Sequence, residues 1–303
     1  MADGSIFSGG LGPDDLIRFQ EIIWDFYRTF RRSMPWRDNT DPYWVLVSEI
    51  MLQQTQVSRV MVKFDPFVRR FPTVHSLAEA SLADVLRLWS GLGYNRRARF
   101  LHQSAGVIVR DFAGVVPAEP SVLGTLPGIG PATAGSVAAF AYNRPVVFIE
   151  TNIRRVFLTA FFSQDDRGVG DRPVDDRTVH DRTVHDRELL PLIEQTLPHD
   201  NPREWYWALM DVGVHLAKTA GNANRRSAHY TRQSPFEKSR RQLRGRILQV
   251  LTDRGTIAAE ELPAYTGFGA DEVTEVLAIL EAEGFIDRGD NAGVGDRLQI
   301  RDG

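Results

Sequence analysis

The chain of 303 residues carries 36 Lys and Arg against 39 Asp and Glu, a net charge of −3, and no cysteine. That length suits one large domain or two modest ones with real cores. The missing thiols exclude disulfides, thiolate zinc and cysteine-held iron–sulfur clusters, and no apolar run reaches the ~18 residues that a membrane span requires.

Apolar residues recur at helical spacing along most of the chain. They predict helices over residues 14–30, 43–54, 57–71, 76–89, 94–112 and 120–125, with a turn at Pro35, Trp36, Arg37 and Asp38. Next comes Leu126-Pro127-Gly128-Ile129-Gly130-Pro131-Ala132-Thr133, a Gly-x-Gly turn that opens a new helix. Two glycines let a ligand approach the backbone, and the helix N-terminus offers free N–H groups to an anion. Further helices are expected over 152–162, 188–197 and 202–218, making an all-α body that reaches residue 239.

Residues 240–303 follow a different pattern: helices over 242–253, 259–266 and 271–283, the last stopped by Gly284, then strands at 285–288 and 297–300 around a Gly-rich turn. No strand is expected before residue 285. Three helices followed by a hairpin suggest a small winged-helix-like domain. Its third helix carries Asp271, Glu272, Glu275, Glu281 and Glu283. Phosphates would repel those carboxylates, so the expected role is scaffolding or docking of a protein partner.

Charge is unevenly spread. Lys218, Arg225, Arg226, Arg232, Lys238, Arg240, Arg241, Arg244 and Arg246 face Glu237 alone between residues 218 and 246, which points to a polyanion. The stretch from 164 to 188 repeats as pentads, with Asp-Arg-Thr-Val-His at 176–180 and again at 181–185. A five-residue period matches neither helix nor strand. It reads as a duplicated surface loop, and no function attaches to it.

Two carboxylates stand out. Glu49 lies among Val45, Leu46, Val47, Ile50, Met51 and Leu52, and apolar surroundings raise a carboxyl pKa so that it can act as an acid near neutrality. Glu150 directly precedes a helix that begins Thr151-Asn152-Ile153-Arg154-Arg155.

Taken with the Gly-x-Gly turn, the run Ser48-Glu49-Ile50-Met51-Leu52-Gln53-Gln54-Thr55 resembles the active-site helix of MutY-like enzymes. Over residues 14–237 the chain resembles the helix-hairpin-helix DNA glycosylases, the superfamily of MutY and endonuclease III. The resemblance implies a two-subdomain glycosylase core at 1–239, with the hairpin near 120–140 and the winged-helix-like domain at 240–303. It also implies duplex DNA with a mismatched or damaged base as partner, and a cytoplasmic, nucleoid-associated location.

Hydrolysis of an N-glycosidic bond needs an extruded base, a proton for the leaving base and a negative charge near the cationic sugar. By resemblance, Glu49 supplies the proton, Glu150 with Asn152 the charge, and Gln53, Gln54 and Thr55 fill the space the base leaves. The turn Gly91-Leu92-Gly93-Tyr94 would push Leu92 or Tyr94 into the helix, while Arg96, Arg97 and Arg99 meet phosphates. Gly128, Gly130, Thr133 and Arg155 complete the DNA grip, and Trp36 and Arg37 form one wall of the base pocket.

The chain also departs from the family. Glu150 stands where aspartate is usual, and a shift of about an ångström at a reacting centre can cost ~100-fold. Either the pocket is adjusted to glutamate or the protein is a weak or non-catalytic relative. Ala132 replaces the lysine that forms a Schiff base in bifunctional relatives, so a monofunctional enzyme is expected. Ala217, Asn224, Ser227 and Gln233 align with the cluster cysteines, so no cofactor and no metal are expected. The Nudix-like domain that reads 8-oxoguanine is missing, and Trp207 occupies the place of a residue that touches adenine. Adenine is the first choice of substrate. The alternatives are thymine or uracil opposite guanine, and a non-catalytic binder of kinked or damaged DNA. A winged-helix transcription regulator is disfavoured by the acidic third helix.

Overall fold

The computed structural model describes residues 12–162, 183–231, 236–289 and 297–301. Its helices, in chain order, are α1 (Pro13–Phe30), α2 (Pro35–Asp38), α3 (Pro42–Leu52), α4 (Val57–Arg70), α5 (Val74–Ala78), α6 (Leu82–Trp89), α7 (Arg96–Phe112) and α8 (Pro120–Leu123). They continue with α9 (Pro131–Tyr142), α10 (Thr151–Phe161), α11 (Asp186–Thr196), α12 (Pro202–Thr219), α13 (Arg240–Arg254), α14 (Leu262–Thr266) and α15 (Ala270–Ala282). Three strands, β1 (Thr256–Ala258), β2 (Ile286–Gly289) and β3 (Arg297–Ile300), form one antiparallel sheet in the order β1-β3-β2. Among the described residues no helix is long and apolar enough to cross a membrane.

The chain divides into two compact units, Met1–Met34 with Pro131–Arg232, and Pro35–Gly130 with Gln233–Gly303. In the first, Phe19 meets Phe157 and Phe161 with ring centroids 5.4 and 5.2 Å apart, and Trp205 edge-on at 6.0 Å. Arg32 anchors the end of α1 to Asp211 on α12 through its backbone N–H at 3.0 Å and its Nε at 2.6 Å. Helices α10 and α12 approach so closely that a Cβ on Gly213 would lie 2.5 Å from the Asn152 carbonyl.

The second unit is built on Phe64, Phe67, Phe71 and Trp89, all fully buried. Helix α13 packs on α6 there, and Arg87 donates to the Thr252 carbonyl at 3.0 Å. In this C-terminal segment the sheet buries Ile257, Leu298, Ile286 and Ile300. Its helix–strand–helix–helix–strand–strand order is winged-helix-like. Residue 239, where the sequence suggests a boundary, is the N-cap of α13: the Ser239 hydroxyl accepts the Gln242 N–H.

Two expectations are corrected. The single helix over 76–89 is two, because Thr73 and Ser81 each cap a helix start by accepting the N–H groups of Ser76 and Asp84. A strand does precede residue 285: Thr256, Ile257 and Ala258 pair with β3, and three residues are too few to show alternation in sequence. The pentad repeats lie outside the described residues apart from Thr183, Val184 and His185.

The close crossing of α10 and α12 gives a direct test. Gly213→Ala is expected to cost about 1–3 kcal/mol through overpacking. Gly245→Ala in α13, where a Cβ meets nothing within 4 Å, is expected to be neutral or to stabilise by ~0.5–1 kcal/mol. Urea denaturation of the two variants measures both.

Candidate active site

Helix α3 is started by Asp41, whose Oδ1 accepts the N–H groups of Tyr43 at 2.9 Å and Trp44 at 3.1 Å, with Pro42 at the first helical position. Val45, Leu46, Val47, Ser48, Ile50 and Met51 are buried. Glu49 is the half-exposed exception in that run. Beyond the helix end, Gln54 is exposed and holds a left-handed backbone with φ 51°. Strained backbone of this kind in a residue with a Cβ is concentrated at functional sites.

The C-terminus of α3 is closed by Arg97. Its Nη1 donates to the carbonyls of Ile50 at 2.9 Å, Met51 at 2.9 Å and Gln53. Its Nη2 donates to Thr55 Oγ1 at 2.9 Å and to the carbonyls of Gly93 at 3.1 Å and Leu92 at 3.4 Å. A cation at a helix C-terminus satisfies carbonyls that have no intrahelical partner and complements the helix dipole. Arg97 is only 8% exposed, and burial pushes its pKa down to about 10. This guanidinium therefore fastens the Gln53–Gln54–Thr55 segment to the Gly91–Leu92–Gly93–Tyr94 turn. Arg97 is corrected from a phosphate contact to the internal brace of the site.

The turn itself separates its two wedge candidates. Leu92 is 2% exposed and Tyr94 is 37% exposed, with Tyr94 left-handed at φ 47°. Leu92 is thus a core residue and Tyr94 the projecting one. Trp89 Nε1 donates to the Gly93 carbonyl at 3.1 Å, and the Arg97 N–H to the Tyr94 carbonyl at 2.9 Å, so the turn's backbone is held from beneath. Arg96 is exposed and covers Phe100 at 5.5 Å. Arg99 is half-exposed, and its guanidinium covers Phe285 at 5.7 Å.

The hairpin turn follows the same logic. Leu126 and Ile129 are buried anchors, and Ser104 Oγ donates to the Pro127 carbonyl at 2.9 Å. Gly128 has φ 75°, and a Cβ there would stand 2.7 Å from Phe100 Cβ, so no other residue fits. Gly130 is exposed with nothing within 4 Å of a built Cβ. At the start of α9, Ala132 is exposed and Thr133 half-buried.

In the other unit Glu150 is the N-cap of α10. Oε1 accepts the N–H groups of Asn152 at 2.8 Å and Ile153 at 3.0 Å, and Oε2 accepts Asn152 Nδ2 at 3.3 Å. Burial holds its carboxyl above the ordinary range, while these donors and the Arg154 charge pull it back. Arg155 Nη1 bonds Asn152 Oδ1 at 3.0 Å and the Gly213 carbonyl at 2.9 Å. Arg155 is 9% exposed, and these bonds hold the Asn152 side chain in place. Trp207, 5% exposed, packs on Phe140 at 6.0 Å. Trp36 and Arg37 are likewise buried, and Trp36 stands edge-on to Phe64 at 5.3 Å.

The residues aligned with cluster ligands do not fit an iron–sulfur group, since none offers a thiolate. Asn224 is buried and donates through Nδ2 to the Thr151 carbonyl at 3.0 Å. Ser227 is buried, and its backbone forms a parallel bridge with Val184. Arg154 binds Asp186 with both nitrogens at 2.7 Å. Gln233 lies outside the described residues.

Residues 47–170 match the model of the HhH-GPD superfamily base excision DNA repair protein family. An adenine DNA glycosylase of Mycobacterium tuberculosis (strain ATCC 25618 / H37Rv) is 46% identical over 158 residues, 52% of this chain and 51% of that protein. The adenine DNA glycosylase of Mycolicibacterium smegmatis is 36% identical over 248 residues, 76% of this chain and 79% of that protein. The chain belongs to the HhH-GPD superfamily, in its MutY-like branch. Its match to the M. tuberculosis relative spans about half of that protein's length. The fold is shared with a thermostable thymine-DNA glycosylase, at a TM-score of 0.55 and 24% identity over 65% of this chain and 85% of that one.

Two outcomes test the geometry. Arg97→Met leaves the carbonyls of α3 without their cation and is expected to destabilise the protein by about 3 kcal/mol or more, read by chemical denaturation. Glu150 is the pH-sensitive group. With its folded pKa raised, its contribution is present below the ordinary carboxylate range and is lost as pH rises through the raised value. As pH rises above the ordinary carboxylate range, wild type should therefore lose stability relative to Glu150→Gln; a difference independent of pH would contradict the burial of that carboxyl.

Proposed function

We propose that the chain is a monofunctional DNA N-glycosylase that removes adenine from a mismatch in duplex DNA, acting in the cytoplasm at the nucleoid. The carrying observation is Glu49: one half-exposed carboxylate among buried neighbours from Val45 to Met51, with Gln53, the left-handed Gln54 and Thr55 just past the helix end. The names of the curated relatives support adenine as the base.

In this mechanism the target nucleotide leaves the stack and the duplex is held open by Tyr94 and Gln54. Glu49 gives its proton to the leaving adenine as the bond between C1′ and the base nitrogen breaks. Positive charge develops on the sugar, and the Glu150 carboxylate stabilises it. A water oxygen then bonds to C1′ and releases its proton to the Glu49 carboxylate. The products are free adenine and an abasic site. Ala132 offers no amine for a Schiff base, so the backbone stays intact.

Glu150 suits this role as a helix cap. Its carboxylate is fixed by two backbone N–H groups and the Asn152 amide, so the charge is preorganised even though the side chain is one methylene longer than aspartate.

The test uses labelled duplexes carrying A·8-oxoG, A·G, T·G and U·G, followed by hot alkali. Strand scission at adenine only after alkali is expected, with Glu49→Gln lowering the rate by at least ~100-fold. Release of thymine or uracil without adenine would overturn the substrate, scission without alkali would overturn the monofunctional reading, and binding without any release would overturn catalysis.

A further inference from the structure

The C-terminal helix α13 reaches the projecting tyrosine through one side chain. Arg241 Nη1 donates to the Tyr94 hydroxyl at 2.8 Å, and its guanidinium carbon lies 5.7 Å from the Tyr94 ring centroid. Arg97, from below the turn, places its guanidinium carbon 5.5 Å from the same centroid. Arg241 also covers the exposed ring of Phe236 at 6.0 Å.

Neighbouring arginines of α13 behave differently. Arg240 pairs with Glu275 at 2.8 Å, Arg244 with Glu283 at 2.6 Å, and Arg246 donates to the Thr266 carbonyl, all within the C-terminal segment. Arg241 instead bonds to residue 94. The backbone of Tyr94 is already fixed by Arg97 and by the bonds to Gly93, so what Arg241 adds is control of the ring. Guanidinium groups stack on tyrosine rings by cation–π attraction, and an aromatic side chain held in one rotamer binds without an ordering cost.

We propose that Arg241 is a positioning residue for entry into DNA: the C-terminal segment acts on the excision site by holding Tyr94 extended, ready to stack in the duplex. This rests on the reading of Tyr94 as the wedge. It gives the winged-helix-like segment a role that its acidic third helix denies it as a direct reader of DNA.

The experiment measures affinity of the full chain for a duplex holding a tetrahydrofuran abasic analogue, with 2-aminopurine beside it to report unstacking. Arg241→Ala and Tyr94→Ala are each expected to weaken binding and the fluorescence rise by about tenfold, with the double variant no worse than Tyr94→Ala. Arg241→Lys should recover part of the loss, Tyr94→Phe should lose less than Tyr94→Ala, and the salt slope of Arg241→Ala should match wild type. Losses that multiply in the double variant, or a salt slope reduced by about one unit, would show a separate phosphate contact and overturn the proposal. Wild-type affinity in Arg241→Ala would overturn it too. No bond breaks in this assay, so a wild-type protein that prefers abasic duplex yet excises nothing overturns the glycosylase reading alone. A wild-type protein with no such preference overturns both.

Discussion

The guanidinium of Arg97 is the interaction on which the candidate site depends. It takes up the carbonyls at the end of α3, the hydroxyl of Thr55 and the carbonyls of Leu92 and Gly93. The hydrogen bonds that join Ile50 and Thr55 to Arg97 and Leu92 span 37 to 47 residues of sequence. One planar cation with a fixed fork of donors makes the helix bearing Glu49 and the turn bearing Tyr94 a single rigid element. The left-handed conformations of Gln54 and Tyr94 would each be unfavourable in a free loop. The surrounding hydrogen bonds over-determine them, which is the usual way such strain persists.

Glu150 shows the same economy at a helix N-terminus. Asp41 starts α3 by accepting two backbone N–H groups on one carboxylate oxygen, and Glu150 does the same at α10 with a longer arm. The added methylene is absorbed because its second oxygen meets the Asn152 amide, which Arg155 in turn fixes. In the same unit, residues 184 to 228 are held by protein bonds: the Val184 bridge, Asn224 on the Thr151 carbonyl, and Arg154 on Asp186. The anchor at Thr151 adjoins Glu150, so this hydrogen bonding supports the cap directly.

Much of this was legible in the sequence. Apolar spacing located the helices, and the candidate site rests on the motifs around Glu49 and Gly128, because both depend on local chemistry. The roles of the arginines were harder to see. Arg96, Arg97 and Arg99 look alike in a basic run, yet Arg97 lies on the stripe it shares with Leu101, Ser104, Ala105 and Ile108, all buried. That spacing was the available signal, obscured because a cation on an apolar face is rare unless it has partners. Arg155 needed the close crossing at Gly213 to be read, and β1 needed its partner strand. Both are long-range facts that no local pattern carries.

The most direct measurement is a crystal structure of the protein on a duplex in which the mismatched adenosine carries a 2′-fluoro group, which slows departure of the base by destabilising the sugar cation. The expected density places the adenine outside the stack with Glu49 within hydrogen-bond distance of its edge, and Tyr94 between base pairs. An adenine still stacked in an undistorted helix, or Glu49 turned away from an extruded base, would contradict the mechanism.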